Sequence, residues 1–276
     1  MPIARMFLDW SQPALPAAVD VLIGRYAARD NLDLEDVILV VPGSRAGRRM
    51  TELLVERAER QSLVLLPPRI CTVGRLPELL YESKRPFASD LVQQLVWAHA
   101  LRTTDRAECR RYIAELPGDD DFGHWMDLGG LLKRQHGELA ADGLDFAQVA
   151  TRGSQLAGFH ESDRWAFLSG VQKLYLHQLD ELGLWDLQTA RLFAIEHHEC
   201  RTDMDIVLLA TTDMNLALRR MLDQVADRVT AYVHAPASHA DRFDGHGCLI
   251  PEAWQEARID LDTDQIRIVD GPAEQA

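Results

Sequence analysis

Asp36-Val37-Ile38-Leu39-Val40-Val41-Pro42-Gly43-Ser44-Arg45-Ala46-Gly47-Arg48-Arg49-Met50 is the stretch that decides the fold. Val37–Val41 is an unbroken apolar run, mostly β-branched, with no polar face. Such a run suits a strand buried on both sides, as in a parallel sheet. Pro42-Gly43 stops it, and Ser44 is positioned to cap a helix over Arg45–Gln61. A strand that leads straight into a basic helix start is also a ready anion site, because unpaired helix amides and guanidinium groups converge there.

Working outward, Ile3–Trp10 reads as a strand and Pro13–Arg29 has helical spacing through Leu15, Val19, Leu22, Ile23 and Tyr26. Leu63–Leu66 and Ile70–Val73 form a strand region broken by Pro67-Pro68. Helical spacing runs from Leu76 to about His198, with breaks at Pro86, Pro117-Gly118, Gly143, Gly153 and Gly183. Asp205–Ala210 is another buried-strand run, followed by a helix over Asn215–Asp227 and a strand over Val229–His234. Gln265–Asp270 is a last strand candidate. Strands that alternate with helices at both ends predict an α/β fold with a parallel sheet. The expected organisation is an α/β core from 1–84 and 203–276, interrupted by a helical insertion over 85–202. Because the sequence stops at Glu274-Gln275-Ala276 just as an element opens, a fragment of a longer chain is expected.

The 276 residues are 47% hydrophobic and 26% charged, which excludes global disorder and fibrous or disulfide-rich classes. No apolar run is long enough to span a bilayer, and Met1–Arg5 carries no signal-peptide pattern, so a cytoplasmic protein without membrane contact is expected. Cys71, Cys109, Cys200 and Cys248 lie far apart and read as reduced thiols. The net charge of −14 gives no global attraction to nucleic acid, and Asp203–Ala276 alone contributes −8. Any such contact is therefore local or supplied by a partner.

Lysine usage removes one function class. Lys84, Lys133 and Lys173 are followed by Arg85, Arg134 and Leu174, so no Gly-rich turn ends in Lys-Ser/Thr and no Walker A phosphate cradle exists. Glu82-Ser83-Lys84 matches half of a PD-(D/E)xK nuclease site, but the stretch before it has helical spacing and Pro77-Glu78 lies too close to be the partner, so it reads as a solvated helix end. His234, His239, Asp241, Asp244, His246 and Cys248 suggest either a metal or a polar loop, without a known ligand spacing. His197-His198, adjacent on a helix, point different ways. Gly43-Ser44 and Gly153-Ser154 lack the second glycine of a nucleophile elbow. Trp97, Trp125, Trp165 and Trp185 fall on helical faces and read as core. Arg45, Arg48, Arg49 and Arg57, with the Gly43 and Ser44 amides, form the one basic constellation. It reads as a phosphate contact or as a solvated face paired with Glu52 and Glu56.

Val37–Met50 resembles the strand–loop–helix of motif Ia in UvrD-like superfamily 1 helicases, in the form found in AddB/RexB-type nucleases. Leu66–Leu76, Arg164–Asp186, and Phe243–Gly247 with Trp254 resemble further segments of those chains, and Glu274-Gln275-Ala276 the opening of the next subdomain. The resemblance implies a P-loop-NTPase-like, helicase 1A-like core with a 1B-like helical insertion. It also implies that Gly43, Ser44, Arg45, Arg48, Arg49 and Thr72 face DNA. The motif I position holds Asp9–Leu15 and the Walker B position Leu209–Asn215, with Asp213 its only carboxylate. The nucleotide site is thus degenerate: no cofactor, no metal and no catalysis are expected from this stretch. What is implied is a DNA-guiding, subunit-contacting module of a double-strand-break repair helicase–nuclease, working with an ATP-driven, AddA-like partner. The nuclease domain of such proteins lies beyond this sequence. A stand-alone α/β enzyme with an unrecognised site, or a protein–protein scaffold without DNA binding, are the alternatives.

Overall fold

Parallel pairing organises the computed structural model, which describes residues 2–255, 257 and 258. The chain begins with β1 (Ala4–Phe7), α1 (Ala14–Tyr26), β2 (Ala27–Ala28), β3 (Asn31–Asp33), β4 (Val37–Val41), α2 (Ser44–Arg60), β5 (Val64–Leu66) and β6 (Arg69–Thr72). Six helices follow: α3 (Asp90–Thr103), α4 (Arg106–Tyr112), α5 (Phe122–Ala141), α6 (Phe146–Gly153), α7 (Ser162–Glu181) and α8 (Leu187–Glu196). The path then returns through β7 (Asp205–Leu209), α9 (Leu216–Gln224), β8 (Val229–Val233) and the short α10 (Pro251–Trp254). The main sheet has the order β1-β8-β7-β4-β6 with every pair parallel, an α/β arrangement consistent with a P-loop-like core.

Two-residue alternation divides the sheet's side chains between two cores. Ile38, Val40, Ile206 and Leu208 pack on one face with Leu218 and Met221 of α9. Leu39, Val41, Val207 and Leu209 pack on the other with Leu22 of α1 and Met50 and Leu54 of α2. The connections from β1 and β4 therefore cross one face, and that from β7 crosses the opposite face. All of β4 and β8 is buried, as the apolar runs require.

Several expectations need correction. Gly43 is the N-cap of α2 and Ser44 its first helical residue, without a side-chain cap bond. Leu63–Val73 is not one strand region: β5 pairs with β3 in a small separate sheet, and β6 pairs with β4. Pro67-Pro68 offers no amide donors, which suits the change of sheet. The short β2 and β3 were not expected, because two or three residues carry no readable period. Leu76–Leu80 forms 3-10 turns rather than an α-helix. Glu82-Ser83-Lys84 lies in irregular chain, with Lys84 paired to Glu199 at 3.0 Å, so it is not a helix end. Trp185 sits in a bridge to Phe87, not on a helix, and His197-His198 terminate α8, His198 at φ +53°. The candidate strand Gln265–Asp270 and the opening at Glu274 lie outside the described residues.

Between β6 and β7, α3, α5 and α7 enclose a third core in which Trp97 and Tyr175 stack at 4.1 Å. Trp97 and Trp125 are fully enclosed core residues, as expected. Gly129 allows α5 to approach α3 closely, since a Cβ there would stand 2.5 Å from the Gln94 carbonyl oxygen. A buried polar cluster ties the segment together. Asp186 caps α8 through the Thr189 amide (2.6 Å) and also accepts from Tyr175 (2.8 Å) and His136 Nε2 (3.0 Å). Gln172 accepts from the Phe146 amide and donates to His136 Nδ1, completing the cluster. Ala194 of α8 joins the same core as β7 and α9, so the helical segment is anchored to the sheet.

Candidate nucleic-acid interface

Register brings the interface together. Thr72 at the end of β6 pairs with Val41 at the end of β4, so the turn after β6 emerges beside the start of α2. In parallel α/β sheets ligands bind beyond the strands' carboxyl ends, where neighbouring connections diverge to opposite faces. β4 and β6 meet that condition: α2 packs on one core, and Leu76 and Leu80 after β6 pack on the other.

The resulting cleft encloses about 840 Å³. Ser44 and Arg48 of α2, Thr72 of β6, and two further arginines, Arg69 and Arg75, line it. Glu78 also lines the cleft, but its carboxylate is held by Arg191 at 2.6 Å. Among the described residues, none of Arg45, Arg48, Arg69 and Arg75 has an ion-pair partner, whereas Arg49 bonds Glu52 (2.8 Å) and Glu56 (3.3 Å), and Arg57 reaches Asp20 (3.0 Å). The Glu52 hydrogen bond and the charge of Glu56 hold the Arg49 guanidinium above its ordinary pKa. Burial raises the Cys71 thiol, against the opposing pull of Arg69 and Arg75, so Cys71 is not an activated nucleophile.

Of the six expected contact residues, Ser44, Arg48 and Thr72 share the cleft. Gly43 stands just before α2, Arg45 is exposed on α2 outside the cleft lining, and Arg49 belongs to a solvated, carboxylate-paired face. Arg69 and Arg75 escaped the sequence reading because their relation to Arg48 is set by strand register. The flanking of a short strand by two arginines beside Thr72 was the available signal.

The other expected positions are engaged elsewhere. Asp244 accepts from Arg219 and from the amides of His246 (2.9 Å) and Cys248 (3.0 Å), while His246 pairs with Asp223 at 2.9 Å. Among the described residues no three His, Cys, Asp or Glu side chains converge as metal ligands, and the cysteines are free thiols. Asp213 is exposed in the loop between β7 and α9. Among the described residues no helix is long and apolar enough to cross a membrane. Comparison of the sequence with protein-family models and with curated proteins finds no match.

Proposed function

We propose that this chain is a non-catalytic, helicase-like module that holds single-stranded DNA by its phosphates in the β4–β6 cleft. The observation that carries the reading is the cleft itself. Arg48, Arg69 and Arg75 surround it without ion-pair partners among the described residues, in a protein whose net charge is −14. Guanidinium groups suit phosphate oxygens, and unpaired ones need not give up a carboxylate to bind. A helicase 1A-like core with a 1B-like insertion fits the parallel sheet and the place of the helices between β6 and β7. The absence of a Walker A lysine and the displaced Asp213 leave ATP hydrolysis without charge neutralisation. In this reading the chain is part of an AddB/RexB-like helicase–nuclease, whose ATP-driven, AddA-like partner supplies movement.

About three phosphate contacts on a single strand correspond to a salt slope of roughly −2 on logarithmic axes. Fluorescence anisotropy with an oligothymidine should detect binding at low salt and a steep loss at physiological salt. Equal affinity of the wild type and Arg48→Ala/Arg75→Ala at low salt would overturn the reading.

A further inference from the structure

A second crevice opens at the carboxyl ends of β1, β7 and β8, and its chemistry is the reverse of the first. Here too the connections diverge: α1 after β1 packs on one core, while α9 and the chain after β8 pack on the other. The crevice encloses about 440 Å³, within the range of small-molecule sites. Its walls include Trp10, Phe243, Trp254 and Leu249, with Thr211 and Thr212 at the tip of β7. Among the described residues, His234 is the only ionisable side chain in this lining, and its Nε2 is occupied by the Gln12 carbonyl at 3.0 Å. No described residue of the lining carries a charge that would neutralise a phosphate.

The walls are held in advance. Trp10 Nε1 donates to the His234 carbonyl (2.9 Å) and Leu249 N to the Thr212 carbonyl (3.0 Å). Arg5 donates to the carbonyls of Ala240 (3.1 Å), Phe243 (2.8 Å) and Asp244 (3.2 Å), fixing the segment that carries Phe243 and Trp254. Phe243 and Trp254 meet edge to face, and His239 lies beside both tryptophans. Two residues at the strand tips, Asp9 (φ +37°) and Ala210 (φ +46°), adopt left-handed backbone, a strain that persists only where the surroundings impose it. Two polar groups here lack a partner among the described residues: Nη1 of Arg242, whose guanidinium lies over the Trp254 ring at 5.1 Å, and the hydroxyl of Thr211. Thr211 is 6% exposed, and its Oγ1 has no hydrogen-bond partner among the described residues. A buried orphan of this kind calls for an explanation, and a χ1 rotation is all a threonine hydroxyl needs to change its direction.

We infer that this crevice is a binding site for a neutral, planar heteroaromatic ring of nucleobase size, stacked among Trp10, Phe243 and Trp254, with its polar edge toward Thr211 and Thr212. A purely apolar ring would leave the Thr211 hydroxyl unanswered, and a charged group would meet no counter-charge among the described lining residues, since the Arg242 guanidinium lies over the Trp254 ring (5.1 Å) and is not part of the lining. The site is independent of the arginine cleft and stands or falls separately from DNA guidance.

The test titrates protein into 2-aminopurine riboside, and separately into an oligothymidine carrying one 2-aminopurine, reading the quenching that accompanies stacking. Quenching of the free riboside identifies a nucleoside site; quenching only in the strand identifies a base presented by nucleic acid; either supports the inference. Trp10→Ala should weaken the interaction roughly tenfold, as loss of a stacking wall does. Thr212→Trp, a change at the exposed rim, should block it while thermal unfolding remains that of the wild type. In competition, ATP should displace the riboside no better than adenosine. Absence of quenching in both probes, unchanged quenching by Thr212→Trp, or tenfold better displacement by ATP would overturn it.

Discussion

The helical segment and the sheet's carboxyl edge use polar side chains in opposite ways. Around α8, Asp186 is 1% exposed and takes hydrogen bonds from His136, Tyr175 and the Thr189 amide, while Gln172 satisfies the other side of His136. At the β4–β6 cleft, Arg48, Arg69 and Arg75 stand in solvent without ion-pair partners among the described residues. A buried polar group without partners is costly, so the first cluster must be complete to exist at all. An exposed guanidinium meets no such demand and stays available to a ligand. Partner saturation, rather than residue type, separates the groups that hold the fold from those that can serve binding. A His–Asp–Tyr constellation looks catalytic in a list of residues, yet here its members are bonded to one another and to the start of α8, which ties α5, α7 and α8 together.

The sharpest way to break that contrast is to remove Asp186. Asp186→Ala leaves the His136 and Tyr175 donors buried without an acceptor and strips α8 of its cap. A loss of about 3–5 kcal/mol is expected, as for other buried pairs with one partner removed. Urea unfolding followed by circular dichroism measures it. A loss below about 1 kcal/mol would show that water enters the site and would dissolve the distinction.

Acid should weaken the same cluster to a smaller extent. Burial by itself would raise the Asp186 pKa, but the donors from His136, Thr189 and Tyr175 outweigh it and bring the carboxyl down to about 2. The folded value lies below the unfolded one, near 3.9, so the stabilisation is complete above about pH 4 and disappears as pH falls through about 2. The stability difference between wild type and Asp186→Asn should therefore shrink by about 2 kcal/mol between pH 4 and pH 2. A constant difference across that window would mean that folding does not lower the Asp186 pKa.

These two clusters also mark how much the sequence disclosed. The buried strands were legible from Val37–Val41 and Asp205–Ala210, because full burial writes itself as an unbroken apolar run. The His136–Asp186–Tyr175–Gln172 cluster was invisible, since its members come from α5, α7 and the start of α8 and meet only through helix packing. The cleft was half legible. Ser44 and Arg48 follow from a strand that ends at a helix, but Arg69 and Arg75 join them through the Val41–Thr72 register, which no local pattern encodes. The aromatic crevice was read only in fragments: Trp10, Phe243 and Trp254 are far apart in sequence and meet where β1 and β8 pair.

On the exposed side of the contrast, Arg48→Ala/Arg75→Ala should weaken single-stranded DNA binding about tenfold at low salt. It should also flatten the salt dependence, as expected when roughly two phosphate contacts are lost. Thermal unfolding should not move, because neither arginine has an ion-pair partner among the described residues. Anisotropy at several salt concentrations provides both readings. A fall in melting temperature alongside the loss of binding would place these arginines with Asp186, among the groups that hold the structure.

The smallest effect is the most discriminating. Arg49 lies one residue from Arg48 on α2, carries the same charge, and is equally accessible to an approaching polyanion. It differs in having Glu52 and Glu56 as partners, at 2.8 and 3.3 Å, and in not lining the cleft. If charge alone drew DNA to the helix, Arg48→Ala and Arg49→Ala would weaken binding alike, since the long-range field barely distinguishes neighbours within a Debye length of about 8–10 Å. If the cleft geometry and free hydrogen-bond donors decide, Arg49→Ala should leave affinity within about twofold of wild type, because its guanidinium must first give up two carboxylates. Parallel titrations of the two single variants at low salt settle the matter. Matching losses would move the strand's path out of the cleft and onto the outer face of α2.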